Sequence, residues 1–153
     1  MIILYRILSI IINMVALLLT LSLVFSIPML VSSPVTLLSA FLMVAVVLYS
    51  WFSSRFYRQV LLQQKTVSHK LRDWVRVNGF VCIVFSVIMF LNVLILIKSP
   101  DLFTQAIQNY GVEVPVNKAN SFLYVMLVYA IILFIHVLWT FALMKKNKEH
   151  FQS

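Results

Sequence analysis

Residues 122–144 read FLYVMLVYAIILFIHVLWTFALM, an apolar run that is followed directly by Lys145 and Lys146. About 20 predominantly apolar residues are enough for a helix to cross a hydrocarbon core about 30 Å thick. Cationic side chains suit the carboxyl end of a helix and the lipid headgroups beside it. This stretch therefore predicts a membrane-spanning helix over residues 121–144, with His136 inside it.

Three further apolar runs precede this one, and they predict spans at about 7–26, 35–54 and 76–98. Of the 153 residues, 63% are hydrophobic and 10% are charged, and the mean hydropathy is +1.03. So few polar side chains cannot cover a water-soluble globule of this size. We predict an all-α fold, a polytopic membrane protein in which residues 1–153 form a single four-helix transmembrane domain. The first run could instead be a signal peptide, but it is longer than the roughly 7–15 apolar residues typical of one, which favours an uncleaved helix.

The segment between the second and third spans, residues 55–75, is the most strongly charged part of the chain. Its apolar residues recur at intervals typical of a helix, and either Thr66 or Ser68 could cap a new helix. The pattern predicts a long basic helical hairpin between helices 2 and 3, in which the second span overshoots the membrane, turns near residues 63–66 and returns as the third. A helix lying flat on the membrane surface is the alternative. The apolar stripe comprises Phe56, Val60, Val67, Leu71 and Trp74.

The distribution of Lys and Arg predicts the orientation of the four spans. Basic residues occur at the amino end (Arg6), after the last span, and at six positions in or next to the middle segment. The positive-inside rule places these three segments on the cytoplasmic face and residues 99–120 in an external loop. We therefore predict a multi-pass protein of a bacterial inner (cytoplasmic) membrane with both termini in the cytoplasm. The six middle cations, the basic cytoplasmic surface, are Arg55, Arg58, Lys65, Lys70, Arg72 and Arg76.

Three functions are compatible with this basic surface. It could set orientation and contact anionic lipid headgroups, it could dock a protein partner along the stripe of Val60, Val67, Leu71 and Trp74, or it could bind a phosphate-bearing ligand. The first is favoured. A net charge of +8 would also suit nucleic acid, but in a chain this apolar the basic residues are better explained by membrane topology, so no nucleic-acid partner is expected.

Three polar side chains stand out inside the predicted spans, namely Asn13, Asn92 and His136. At about 1.5 Å of rise per residue, Asn13 and His136 lie at a similar depth on the cytoplasmic side of the midplane, whereas Asn92 lies on the outer side. We expect a neutral His136 that is hydrogen-bonded to Asn13 or to a backbone carbonyl and holds two helices together, and we expect a different partner for Asn92. A proton or ion relay at His136, or a haem or metal ligand there, is the alternative.

Several function classes lack their usual residues in this sequence. Apart from Arg76 and Lys98 at the two ends of the third span, the predicted spans contain no Asp, Glu, Lys or Arg, which ion-coupled carriers usually need inside the membrane. The lone Cys82 excludes a redox-active thiol pair, and one intramembrane histidine is too few for a bis-histidine haem or a tetrahedral metal site, so we expect no cofactor and no metal. An enzyme acting on lipid or quinone is the least favoured class, because it would have to use Asn78, His69, Asp73 and Arg76.

The remaining hypothesis is a non-catalytic accessory, assembly or scaffold subunit whose helices pack against further copies or against a larger membrane complex. The alternative is a small oligomeric channel or facilitator for a neutral or weakly charged solute, with Asn13, Asn92 and His136 along its path. No four-span family with a recognisable chemical signature fits the sequence.

Overall fold

The computed structural model describes residues 2–26, 34–99, 102 and 116–152. Most of these residues belong to four long helices, each with a segment long and apolar enough to span a membrane, and each of the four predicted spans falls on one of them. Helices α1, α3 and α4 each begin five or more residues before the corresponding predicted span. The helices are α1 (Ile2–Ser26), α2 (Pro34–Phe56), α3 (His69–Lys98) and α4 (Val116–Lys146).

Local sequence explains where two of these helices begin. Pro34 is the first residue of α2, a position where the missing N–H of proline has no intrahelical partner to lose. Ser68, one of the two predicted caps, precedes α3, and its hydroxyl accepts a hydrogen bond from the Lys70 backbone N–H at 3.3 Å. Of the predicted external loop, residues 99–120, the structure describes only residues 99, 102 and 116–120. Residues 27–33 of the first connection also lie outside the described residues.

The chain between α2 and α3 is largely helical. Helix α2 passes into one π-helical turn (Tyr57–Leu62), and the chain then reverses at Gln63–Thr66, where Gln64 adopts the left-handed conformation with φ of 49°. A two-residue strand, β1 (Val67–Ser68), leads into α3. Helical structure therefore extends beyond the predicted spans on both sides of this turn.

The carboxyl-terminal tail packs onto this turn. After α4, a 3₁₀ turn (Lys148–His150) leads to strand β2 (Phe151–Gln152), which pairs in parallel with β1 so that Phe151 lies opposite Val67. The Phe151 side chain is buried and its ring stacks on that of Phe56 at a centroid distance of 6.0 Å. The all-α prediction did not include this small sheet, because its strands are only two residues long and lie far apart in sequence.

The tail changes the interpretation of the apolar stripe. Phe56, Val60 and Leu71 are buried in one hydrophobic cluster with Phe151, so they pack inside the protein and offer no surface to a partner. Val67 is partly buried against the same cluster. Trp74 is half exposed and stacks on Phe52 at 5.4 Å.

The four helices form a bundle in which α3 packs along α2 and α4, while α1 packs mainly along α2 and also touches α4. The ring of Tyr5 lies 5.7 Å from that of Tyr57 and its hydroxyl lies 3.0 Å from Thr140, so the amino end of α1, the end of α2 and the carboxyl end of α4 meet at one end of the bundle. We refer to it as the basic end, because it carries Arg55, Arg58, Lys65, Lys70, Lys145 and Lys146.

Two small residues allow α3 to pack closely against its neighbours. Cys82 is buried, and its thiol lies 3.7 Å from the Ala45 carbonyl oxygen, as expected of a small core side chain. Gly79 faces α4 so closely that an added Cβ would lie 2.7 Å from the Phe141 ring and 3.3 Å from Val137.

Candidate functional site

A buried group of polar side chains lies where α4 meets α1 and α2. His136 Nε2 is 2.8 Å from Ser9 Oγ, and His136 Nδ1 is 2.8 Å from the Tyr49 hydroxyl. Thr140, one turn further along α4, contacts the hydroxyls of Tyr49 at 2.9 Å and of Tyr5 at 3.0 Å. All five side chains are buried, His136 with 0% exposure. We call these five residues the His136 cluster.

The number of protons and lone pairs fixes the direction of each hydrogen bond in the cluster. The Thr140 hydroxyl donates to the His136 backbone carbonyl at 2.7 Å, so both tyrosines must donate to Thr140 Oγ1. The single hydroxyl proton of Tyr49 is then used, and His136 Nδ1–H must donate to the Tyr49 oxygen.

The protonation state of His136 follows from the remaining contacts. Nε2 accepts from the Ser9 hydroxyl. The two carboxylates that the structure describes, Asp73 and Glu149, are exposed at the protein surface, so neither compensates a charge on the buried ring. The imidazole is therefore the neutral Nδ1–H tautomer.

The Tyr5 ring closes this cluster towards the basic end. It stacks on the His136 ring at 4.6 Å with an interplanar angle of 19°, and its other neighbours are Tyr57 and Trp139. A cleft of about 280 Å³ at the basic end reaches the outer side of Tyr5 and is also lined by Lys146. The tyrosine ring thus separates the imidazole from this cleft. The hydrogen bonds of the cluster connect α1, α2 and α4.

Asn13 takes part in a different set of contacts. Its Oδ1 accepts hydrogen bonds from the hydroxyls of Ser50 and Ser54 on α2, the latter at 2.9 Å. The prediction that the His136 ring bonds to Asn13 or to a backbone carbonyl is wrong, because the hydroxyls of Ser9 and Tyr49 contact its two ring nitrogens. Ser9, one turn earlier on α1, bonds the imidazole instead, and Asn13 faces a groove between α1 and α2.

Asn92 lies on the outward face of α3 and its side chain is exposed. Its neighbours on that face are Val84, Ile88, Leu91 and Ile95, each about half exposed. Within the described part of the chain, Asn92 makes no side-chain hydrogen bond. Asn13, His136 and Asn92 therefore occupy three separate environments and do not line one path through a single copy.

Of the four residues considered for an enzyme of lipid or quinone chemistry, Asn78 is buried, whereas Asp73 and Arg76 are exposed on the first turns of α3. The Asn78 amide donates to the Trp74 carbonyl of its own helix at 2.8 Å, and Asp73 pairs with Arg72 at 3.4 Å on the surface. Among residues 2–26, 34–99, 102 and 116–152, no three His, Cys, Asp or Glu side chains group together as metal ligands would. The six cations of the basic surface are exposed except for Arg72, which is half buried.

Sequence reasoning identified His136 but missed four members of its cluster. Ser9 and Thr140 were visible only as scattered hydroxyls, although Thr140 lies four residues after His136 and so shares its helix face. The sequence does indicate that Tyr5 and Tyr49 could be hydrogen-bonded, because a tyrosine next to or within an apolar span needs a partner for its hydroxyl. Their pairing with α4 depends on how the helices are rotated, which the sequence does not specify.

Comparison of the chain with protein-family models, with curated proteins and with solved structures found no match.

Proposed function

We propose that this chain is a non-catalytic membrane protein, an assembly or scaffold subunit, whose copies associate side by side through the outward face of α3. The observation that carries this proposal is Asn92, an exposed amide in the middle of an otherwise apolar helix face. In a bilayer that face would meet hydrocarbon, where an amide without a partner is unfavourable.

A second copy is the partner that this face suits best. An amide has both a donor and an acceptor, so two Asn92 side chains related by a two-fold axis can hydrogen-bond to each other reciprocally. Interhelical polar contacts of this kind contribute about 1–2 kcal/mol in model peptides. The half-exposed Val84, Ile88, Leu91 and Ile95 would surround the pair with apolar contacts.

The His136 cluster supports a non-catalytic role. Its hydroxyls and both ring nitrogens are engaged with one another, and the Tyr5 ring lies between the imidazole and the cleft at the basic end. A catalytic nucleophile or general base needs an unshared lone pair within reach of a substrate. We infer that the cluster holds three helices in register.

The distribution of charge supports a defined orientation. Among the described residues, the exposed cations other than Lys98 lie at the basic end. The positive-inside rule would place that end, both termini and the α2–α3 hairpin in the cytoplasm of a bacterial inner membrane. The basic surface would then lie at the level of anionic headgroups, where the attraction to the membrane surface is about 1 kcal/mol per cation.

Energy transfer between labelled copies in liposomes tests the proposal. Protein labelled at its carboxyl terminus with donor or acceptor dye is diluted with lipid. The mole fraction of protein in lipid at which energy transfer is half-maximal is then measured. We expect Asn92→Leu to weaken association by about fivefold or more, and the matched variant Asn92→Gln, which keeps an amide, to weaken it less.

Two results would contradict the proposal. One is an absence of energy transfer in the unaltered protein at any dilution. The other is an association that Asn92→Leu leaves unchanged, because the outward face of α3 would then not be the interface.

A further inference from the structure

A groove of about 890 Å³ runs between α1 and α2 towards the basic end. Its upper part is apolar, with Leu17 and Leu21 on one wall and Val47 on the other. Its lower part carries the exposed guanidinium groups of Arg55 and Arg58. The groove is therefore amphipathic along its length, with an apolar half and a cationic mouth.

The cationic mouth is free to receive an anion. The one ion pair within the described residues joins Arg72 to Asp73, both outside the groove. Arg55 Nε donates to the Gln59 amide oxygen at 3.4 Å, which leaves the terminal nitrogens of its guanidinium for another acceptor. Guanidinium groups suit phosphate because they present several N–H donors in one plane.

Asn13 supplies an independent observation in the middle of the groove. Its Oδ1 is fully occupied by Ser50 and Ser54, while its amide nitrogen, with two donors, has no partner among the described residues. The side chain is exposed to the groove. An acceptor such as a lipid ester carbonyl would satisfy these donors.

The length of the groove matches one leaflet of a bilayer. Val47 lies on α2 and Gln63 follows the π-helical turn that continues this helix, so at most 1.5 Å of rise per residue separates these two lining residues by no more than about 24 Å. Half of a hydrocarbon core is about 15 Å, and the headgroup layer adds several ångströms. A single lipid of the leaflet at the basic end would therefore reach from the arginines to the apolar wall.

From these features we propose that the α1–α2 groove binds one anionic phospholipid. Its phosphate lies against Arg55 and Arg58, its ester carbonyl accepts from the Asn13 amide, and one acyl chain packs along Leu17 and Leu21. This site does not depend on self-association through α3, because the groove lies on the opposite side of α2 from the α2–α3 contact.

Trp51 provides a reporter inside the groove, since it lines the site and is 71% exposed. Trp74→Phe and Trp139→Phe leave it as the single tryptophan. The protein is placed in phosphatidylcholine liposomes that contain either brominated phosphatidylglycerol or brominated phosphatidylcholine at the same mole fraction, and the quenching of Trp51 is compared. We expect the anionic lipid to quench Trp51 more strongly than the zwitterionic lipid does.

Two charge variants distinguish lipid binding in the groove from attraction of anionic lipid to the whole basic end. Arg55→Gln with Arg58→Gln removes both groove cations, and we expect the preference for the anionic lipid to fall about fivefold or more, since a cation near an anionic surface contributes roughly that factor. Lys70→Gln with Lys145→Gln removes the same charge from exposed positions at the same end but outside the groove. That control should keep most of the preference.

A steric variant tests the groove without changing charge. Thr20→Phe places a ring against the apolar wall, and we expect it to lower the preference while helix content measured by circular dichroism stays the same. Equal quenching by both lipids in the single-tryptophan protein would overturn the proposal. So would an equal loss in the two charge variants, because the basic end would then attract anionic lipid without a site.

Discussion

At the residue scale, the central feature is the His136 imidazole, whose two ring nitrogens both have hydrogen-bond partners. His136 accepts a hydrogen bond from Ser9 and donates one to Tyr49, and Thr140 Oγ1 accepts hydrogen bonds from both tyrosines. The sequence predicted a neutral histidine that joins helices, and its hydrogen bonds link α4 to α1 and α2. It did not predict the partners, because a rotation of α1 by one residue changes which of its polar side chains faces α4.

Two Tyr→Phe variants test how much this hydrogen-bond network contributes to the free energy of unfolding. Tyr49→Phe leaves His136 Nδ1–H and one lone pair of Thr140 without a partner, and we expect it to lower the free energy of unfolding by about 1–3 kcal/mol. Tyr129 is also buried, but its hydroxyl has no partner within the described residues, so Tyr129→Phe should leave stability unchanged or slightly raise it. Thermal unfolding in mild detergent measures both, and equal losses would contradict the network.

The tautomer of His136 is open to direct measurement. We expect ¹⁵N spectra of histidine-labelled protein in bilayers to show a neutral ring with its proton on Nδ1, because Tyr49 can only accept there. Ser9→Ala removes the donor to Nε2 and should shift the Nε2 resonance more than that of Nδ1. An Nε2–H tautomer in the unaltered protein would show that the directions of the hydrogen bonds are reversed.

At the element scale, each helix is readable from the sequence while its contacts are not. Apolar length and flanking charge predicted the four long helices, and Ser68 was one of two predicted caps of α3. The pairing of β1 with β2 was not predictable, since it joins residues 67–68 to residues 151–152 through only two residues on each side. Such a contact has no periodicity to recognise. In the structure it is accompanied by the stacking of the Phe151 ring on the Phe56 ring beside the turn.

The tail is expected to protect the turn between α2 and α3. Phe151→Ala removes the ring that packs on Phe56, so we expect faster tryptic cleavage at the exposed Lys65. Glu149→Ala, at an exposed position in the same tail, serves as the control and should leave the cleavage rate unchanged. If both variants are cleaved at the rate of the unaltered protein, the tail does not stabilise the turn.

The close approach of α3 and α4 depends on Gly79. A methyl group there would press on the Phe141 ring at 2.7 Å, and overpacking of this kind costs about 1–3 kcal/mol, against a gain of about 1 kcal/mol in helix propensity. We expect Gly79→Ala to destabilise the bundle on balance. Phe141→Leu in the same protein should recover part of the loss, and strictly additive effects in the double variant would argue against the contact.

At the scale of the whole molecule, composition and four apolar runs predicted a four-helix membrane protein, and the structure has four helices of suitable length and hydropathy. The sequence did not predict which side chains lie on the outward faces of the helices. Asn13 and Asn92 looked alike in the sequence, yet one lines a groove next to Arg55 and the other faces away from the bundle. That difference arises from the rotation of each helix about its axis, which four nearly uniform apolar spans leave unmarked.

Cysteine crosslinking along α3 tests most directly whether copies associate through this face. In a Cys82→Ala background, single cysteines replace either the outward Val84, Ile88 and Ile95 or the buried Ser86 and Val93, and dimers are counted after oxidation in native membranes. We expect crosslinked dimers from the outward positions and almost none from the buried ones. Dimers that form equally at all five positions, or at none, would contradict an α3 interface and with it the proposed scaffold role.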